Sequence, residues 1–273
     1  MSTTIQPFLR WAGSKRQLLP RLTTYWRMRT AGRYVEPFLG SACFFFYVQP
    51  QQAVLADINA DLIKTYGAVR NCTLDVASEL CQLPVNKHTY YELRQIRSEA
   101  MSTPAAAARF IYLNRFCFNG LYRTNVHGDF NVPFAPIGTG RLPSAGQLSS
   151  CAELLKRASL YHADFEDTLA LVQEGDFVYL DPPYAVRSRR VFRQYSPNDF
   201  GPDDLVRFCR QLRRIDTIGA SFVASYADCA EGRDAFRRWH VRRVRTRRNI
   251  AGFAAHRRHV FELIATNIDE ENR

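Results

Sequence analysis

The chain has 273 residues, 46% of them hydrophobic, and a formal net charge of +11 from 37 basic and 26 acidic side chains. Such a chain can bury a real core, as one large domain or one domain with a substantial insertion, and its basic balance suits a polyanionic partner, nucleic acid first. The cysteines (Cys43, Cys72, Cys81, Cys117, Cys151, Cys209, Cys229) are odd in number and form no C-x-x-C pair. They exclude a zinc ribbon or a disulfide framework, read as small buried apolar residues, and leave no metal expected. The greasiest run, Phe38 to Val48, is too short to span a bilayer, so an intracellular, soluble protein without a membrane partner is expected. Only Lys15, Lys64, Lys87 and Lys156 among the basic residues are lysines, so part of the arginine excess reflects base composition rather than phosphate binding.

In chain order, Tyr34 to Phe38 reads as a buried strand that ends in the tight turn Leu39-Gly40-Ser41, and Ala53 to Asp57 as a second strand with an acid at its carboxyl end. A helix lies between them. Helical periodicity follows over Asn59 to Arg70, Thr89 to Ala100 and Ala105 to Phe116. Residues 117–140 break that pattern with Asn-Gly and His-Gly-Asp turn signals around aromatic stretches, the signature of a hairpin or an ordered loop. A helix near 146–158 precedes strands at Ser159 to Ala163, Asp176 to Leu180, Ser221 to Ser225 and Val260 to Ala265, with helices at 202–214 and 229–238 between the later ones. Interleaved strands and helices imply an α/β sheet, with residues 58–159 inserted between its second and third strands and residues 1–57 and 160–273 forming the sheet domain. Ligands in such sheets sit at the carboxyl ends of strands, where Glu36 to Ser41, Asp57 and Asp181 fall.

The strongest chemical signal is Asp181-Pro182-Pro183-Tyr184 after the apolar run Phe177 to Leu180. Two prolines force a stiff extended turn whose carbonyls no helix consumes. An aromatic amine is a poor nucleophile because its lone pair is delocalised, and two acceptors, the Asp181 carboxylate and the Pro182 carbonyl, can draw its hydrogens out of the ring plane. Tyr184 is placed to stack on a base flipped from a duplex. A mere strand-ending turn is the plain alternative. At the amino terminus, Trp11-Ala12-Gly13-Ser14-Lys15 is a small-residue turn between an indole and a lysine, suited to closing over a cofactor with Lys15 on a carboxylate, or else a surface turn; a complete phosphate-loop spacing is missing. The Gly40 turn and Asp57 are placed to hold a nucleoside cofactor through backbone approach and ribose hydroxyls. That geometry serves nicotinamide cofactors equally well, although G-x-G-x-x-G is absent from the chain.

These motifs occur together and in order, and the chain resembles the DNA adenine methyltransferase family, the α-ordered D12 class. Most specific is Leu113-Asn114-Arg115-Phe116-Cys117-Phe118-Asn119-Gly120-Leu121-Tyr122-Arg123-Thr124-Asn125, continued by Gly128-Asp129-Phe130-Asn131-Val132-Pro133-Phe134, which is similar to the family's DNA-reading hairpin. The resemblance implies a Rossmann-like sheet dependent on S-adenosylmethionine with an inserted helical, hairpin-bearing DNA-recognition domain. It further implies that Trp11, Ala12, Gly13, Lys15, Glu36, Phe38, Gly40, Ser41, Asp57, Asp164, Phe165 and Asp181 line the cofactor site. Arg10, Arg115, Phe118, Asn119, Leu121, Arg123, Asn125 and Pro133 would meet double-stranded DNA. Adenine within GATC is the implied target, reached by base flipping, with a monomer or a weak dimer on DNA. Alternatives are a cytosine-N4 methyltransferase and a catalytically silent DNA-binding protein. Two positions depart from the family pattern: Ala42 ends a motif that usually closes with glycine, and Ser225-Tyr226 stands where Ser-Asn is common. Neither is expected to do chemistry. The arginine-rich stretch Val186 to Tyr195 reads as a phosphate-contacting flap or a solvated basic loop, and Arg237-Arg238, Arg242-Arg243, Arg245 and Arg247-Arg248 as a backbone-tracking row or a solvated strand edge.

Overall fold

The central strands are apolar on both faces, as parallel strands covered on both sides must be. Along β4 (Phe177–Leu180), Phe177 and Tyr179 enter one apolar cluster while Val178 and Leu180 enter another. A computed structural model of the chain describes residues 4–28, 32–125, 127–135, 140–184, 200–247 and 259–269. Its seven strands are β1 (Tyr34–Glu36), β2 (Ala53–Asp57), β3 (Ala158–His162), β4, β5 (Ser221–Ala227), β6 (His240–Arg247) and β7 (His259–Thr266), in the order β3-β2-β1-β4-β5-β7-β6. Among them β7 alone points opposite to the other six, so both its pairings, with β5 and with β6, are antiparallel.

One face of the sheet is covered by α1 (Leu19–Met28), α2 (Cys43–Val48), α3 (Ala60–Asn71), α4 (Thr73–Cys81), α6 (Thr103–Phe116) and α7 (Ala145–Leu155). On the other face lie α8 (Phe165–Ala170), α9 (Pro202–Thr217) and α10 (Ala230–Phe236). A third cluster, centred on Tyr90, Tyr112, Phe116 and Val132, joins α5 (Lys87–Gln95) and α6 to the segment that follows α6. The larger cluster is continuous from Phe8 through Tyr34 to Leu62, Phe110 and Leu148, so the segment inserted after β2 shares its core with the sheet.

Several expectations need correction. β1 ends at Glu36, short of Phe38, because Pro37 has no N–H to continue the ladder. The helix expected over Thr89 to Ala100 stops at Gln95, where the Arg109 guanidinium donates to the terminal carbonyls of Leu93 (2.7 Å) and Arg94 (3.4 Å) in place of the next turn's amides. Helices α4 and α8 have no counterpart in the sequence pattern. The cysteines are not uniformly buried: Cys43, Cys117 and Cys151 are, but Cys81 is exposed at the end of α4, its thiol on the Ser78 carbonyl. The arginine row at 240–247 is the outermost strand β6, and Arg243 pairs there with Asp228 and stacks on Phe261. No described helix is long and apolar enough to cross a membrane.

Candidate active site

Strand order reverses at β1, which has β2 on one side and β4 on the other, and clefts that bind ligands form at the carboxyl ends of strands at such a switch. Glu36, Asp57 and Asp181 lie at the ends of β1, β2 and β4, so three carboxyls from distant parts of the chain gather at one crevice.

Asp181 is held from two sides. The buried Lys15 ammonium approaches both carboxylate oxygens, Oδ1 at 2.7 Å and Oδ2 at 2.9 Å, and also donates to the Gly13 carbonyl at 3.0 Å. Ser225 Oγ, fully buried on β5, donates to Oδ1 at 2.9 Å. Burial alone would lower the lysine pKa, but the charge of Asp181, with Tyr184 and Glu262 behind it, holds the ammonium above the ordinary range. Each carboxylate oxygen offers about two acceptor sites. Oδ1 is therefore filled by Lys15 and Ser225, and Oδ2 keeps a site for a further donor. Tyr184 rests edge-to-face on the buried Tyr226 ring at 5.1 Å, and the Lys15 ammonium lies 5.5 Å from its centroid.

The neighbouring turn is built around Gly40. Its amide donates to Asp57 Oδ2 at 3.0 Å, and its carbonyl accepts from Tyr66. Asp57 Oδ1 accepts from Asn59 N at 3.0 Å. Gly40 has φ +46°, and a Cβ there would lie 2.8 Å from Trp11 Cδ1, so the indole packs against bare backbone. Ala42, with φ +52°, adopts the left-handed conformation that glycine favours, and buried Ser41 sits between the two. Glu36 is buried and accepts from the Tyr34 hydroxyl at 2.8 Å. Burial, with Asp181 and Asp57 nearby and only partly offset by that bond, pushes its carboxyl well above the usual range. Burial likewise raises Asp57 against the opposing pull of its Gly40 and Asn59 amide donors and of His162.

A second wall follows β3. Ala163 N donates to the Asp57 carbonyl at 3.3 Å, which sets Asp164 beside the crevice. Asp164 Oδ1 caps α8 through Glu166 N at 2.9 Å and accepts from Arg207 at 2.6 Å. Arg207 also binds Glu166 and Asp204 and covers Phe165, which stacks on Phe38 at 5.4 Å.

The segment after α6 is a hairpin, with antiparallel bridges Cys117↔Phe134 and Thr124↔Phe130. Phe118 N donates to the Pro133 carbonyl at 2.9 Å, and Asn119 takes φ +56°, a conformation asparagine tolerates. Phe118 and Leu121 pack partly buried on the third cluster, and Pro133 is exposed. The Arg123 guanidinium donates to Asn131 Oδ1 at 2.7 Å, and the Asn125 amide closes the turn by accepting from His127 N and Asp129 N, each at 2.9 Å. The amino-terminal segment is clamped to this region: Asn114 accepts from Arg10 N at 2.8 Å and donates to the Arg10 carbonyl at 2.6 Å. Arg10 also reaches the Arg115 carbonyl at 3.1 Å. Burial, and secondarily the charges of Arg10 and Arg16, lowers the Arg115 pKa to about 10.

A strand-order switch, an Asp-Pro-Pro-Tyr turn gripped by a lysine, and a hairpin docked beside them agree with what comparison with known proteins finds. Residues 11–250 match the family of D12 class N6 adenine-specific DNA methyltransferases. The chain belongs to that family. The type II methyltransferase M1.LlaDCHI of Lactococcus lactis subsp. cremoris is 31% identical, covering 96% of this chain and 95% of that one. The type II methyltransferase M.MjaIII of Methanocaldococcus jannaschii is 31% identical over 81% of this chain and 84% of its own length. The DNA adenine methylase of Escherichia coli K12 is 32% identical over 94% of each. This methyltransferase is thus adenine-specific and acts on DNA, and its mixed sheet is the one expected for the class.

Sequence reasoning overlooked several groups around the crevice. Ser225 and Tyr226, set aside as departures, stand behind Asp181 and Tyr184; only the pairing of β4 with β5 brings them there. Arg207, Asn114 and Tyr122 were also not singled out. The expected flap at 186–195 and Arg248 of the arginine row lie outside the described residues. Among the described residues no group of three His, Cys, Asp or Glu could hold a metal ion.

Proposed function

We propose that this methyltransferase moves a methyl group from S-adenosylmethionine to the exocyclic amine of an adenine flipped out of double-stranded DNA, within GATC. The observation that carries the reading is the two-sided grip of Lys15 and Ser225 on Asp181, which leaves one acceptor site on Oδ2. The crevice suits a cofactor that carries ribose hydroxyls and a positive charge: Asp57 and Asp181 stand against the ammonium of Lys15, while Glu36, whose carboxyl burial pushes well above the usual range, adds a polar group without a charge. Asp57 would hold the ribose hydroxyls with its remaining lone pairs. Asp164, Phe165 and Phe38 would hold the adenine ring, while Trp11, Ala12, Gly13 and the Gly40-Ser41 turn close the near side. The bound cofactor supplies a methyl group on a positively charged sulfur, which makes that carbon electrophilic.

Asp181 Oδ2 and the Pro182 carbonyl would each accept one hydrogen of the target amine, turning its lone pair toward the methyl carbon. As the new N–C bond forms, the methyl carbon's bond to sulfur would break with its electron pair returning to the sulfur, S-adenosylhomocysteine would leave as a neutral thioether, and the nitrogen's surplus proton would pass by way of Asp181 to solvent. Lys15 and Ser225 fix the carboxylate so that no reorganisation accompanies this step. Pro183 stiffens the turn, and Tyr184, braced by Tyr226, offers a face to the flipped base. Alignment of two bound reactants removes several kcal/mol of barrier, roughly 7–11 in favourable cases.

Residues 58–159 form the DNA-recognition part in this reading. Arg10, Arg115, Phe118, Asn119, Leu121, Arg123, Asn125 and Pro133 lie on the docked amino-terminal segment, the end of α6 and the hairpin, and arginine is the side chain most suited to guanine in the major groove. DNA from a host lacking its own adenine methylation, expressing this chain, should carry N6-methyladenine at GATC when sequenced for modified bases. Unmodified DNA despite soluble protein would sink the proposal; modification at another site would overturn only the GATC part.

A further inference from the structure

We infer that Tyr122 is a positioning residue that couples occupancy of the cofactor crevice to occupancy of the hairpin. The inference rests on the reading above, in which the crevice takes S-adenosylmethionine and the hairpin takes DNA. Tyr122 lies in the hairpin strand between Leu121 and Arg123, yet its ring stacks on Trp11 with centroids 5.9 Å apart and an interplanar angle of 15°. Trp11 in turn packs on Gly40, so closely that a Cβ there would sit 2.8 Å away, and Gly40 N is bonded to Asp57. Four residues from four segments thus make one contact path, Asp57 to Gly40 to Trp11 to Tyr122.

The far side of Tyr122 is fixed too. Phe110 of α6 and Phe130 of the opposite hairpin strand each lie 5.6 Å from its ring. Its hydroxyl meets the side chains of Asn59 and Asp61, just beyond Asp57, and burial, with Asp61 opposed by Asn59 and Arg109, pushes the phenol up to about 12. The Ala12 amide donates to the Gly120 carbonyl at 3.2 Å, a second tie between the same two segments. A ring pinned at both ends cannot shift with the hairpin without carrying the indole along. Any displacement of residues 118–134 on meeting DNA therefore changes the shape of the Gly40 turn, and any ligand that seats Trp11 stiffens the hairpin. Because binding free energies are linked, the two effects must be equal.

The test measures that coupling rather than turnover. Calorimetry with S-adenosylhomocysteine, which cannot transfer a methyl group, is run on the full chain alone and on the chain saturated with a GATC duplex, and the duplex is titrated in both cofactor states. The wild-type chain should bind the second ligand at least about fivefold more tightly than the first state allows, by the same factor in either order. Tyr122→Phe keeps the ring and should keep the coupling; Tyr122→Leu removes it and should bring the factor within twofold of one. If thermal melting shows that Tyr122→Leu does not fold, Tyr122→Met, similar in bulk but without a ring, takes its place. Undiminished coupling in the ringless variant overturns the inference, as does a wild-type chain that binds both ligands independently. A wild-type chain that binds neither ligand overturns the functional reading itself.

Discussion

Lys15 and Asp181 are 166 positions apart in the chain, yet the ammonium bridges both oxygens of the carboxylate at 2.7 and 2.9 Å. With only 6% of the lysine side chain exposed and 20% of the aspartate, neither charge is tolerable without the other.

Removing the acid should therefore cost more than catalysis. Asp181→Ala is expected to abolish methylation and to destabilise the fold by about 3 kcal/mol, because it strands a buried ammonium. Asp181→Asn, which still accepts from Lys15 and Ser225, should fold better and lose activity by about 10²-fold or more. Lys15→Met combined with Asp181→Ala should recover much of the lost stability but none of the activity. Denaturant titration with a labelled-methyl assay checks all three; equal stability for Asp181→Ala and the double variant would contradict the pairing.

Glu36 makes stability depend on pH with a definite sign. Its folded pKa is raised, chiefly by burial, so the folded state holds its proton longer than the unfolded chain does. Its contribution is full below the ordinary glutamate pKa and is lost as pH climbs from there toward the raised folded value. Glu36→Gln cannot ionise, so its melting temperature relative to wild type should rise across that window. A difference that stays flat or falls with pH would show that Glu36 is ionised in the fold.

Gly40→Ala should injure the crevice through Trp11. The added Cβ meets the indole at 2.8 Å at a backbone position, φ +46°, that alanine disfavours. Overpacking and strain together are worth about 2 kcal/mol. Binding of S-adenosylhomocysteine should weaken by at least about tenfold, the equivalent of 1.4 kcal/mol. Affinity within twofold of wild type would show that the turn does not shape the site.

Arg207→Ala should loosen the wall that carries Asp164 and Phe165. The guanidinium binds Asp164, Glu166 and Asp204 at once and covers the Phe165 ring. Since the arginine is one-third exposed, its contribution to stability is screened and small. The expected outcome is a rise of about tenfold in the cofactor Kd, or 1.4 kcal/mol, with little change in duplex affinity. Arg207→Lys, which cannot fork to three carboxylates, should behave nearly as the alanine variant. Full retention of cofactor affinity would assign Arg207 to the surface alone.

Much of the fold could be read from local pattern. Apolar runs ending in Glu36-Pro37, Asp57 and Asp181-Pro182 mark strands and their carboxyl ends, and period alone places α3, α6 and α9. Less legible were elements whose identity depends on what covers them. Helix α8 has only six residues, and α5 stops where a side chain from α6 takes its last carbonyls. The candidate site divides in the same way. Lys15, Asp57 and Asp181 stand out because charges at strand ends and tight turns are conspicuous in sequence. Ser225, Tyr226 and Arg207 matter only through β4–β5 pairing and the packing of α9 on α8, contacts between segments that sequence does not align. Tyr122 was hidden by its company: among hairpin aromatics, nothing local distinguishes the one that faces Trp11.

The clamp between Arg10 and Asn114, with the buried Lys15 beside it, also bears on the order in which the protein assembles. During synthesis the amino-terminal segment emerges first, but its anchor on α6 follows 104 residues later and the counter-charge for Lys15 another 67 after that. Burying the ammonium before β4 exists is costly, so the segment carrying Trp11 and Lys15 is expected to settle only after β4 and Asp181 have been made. On the proposed function, a nascent chain that ends before β4 and its turn is therefore expected to lack a competent crevice.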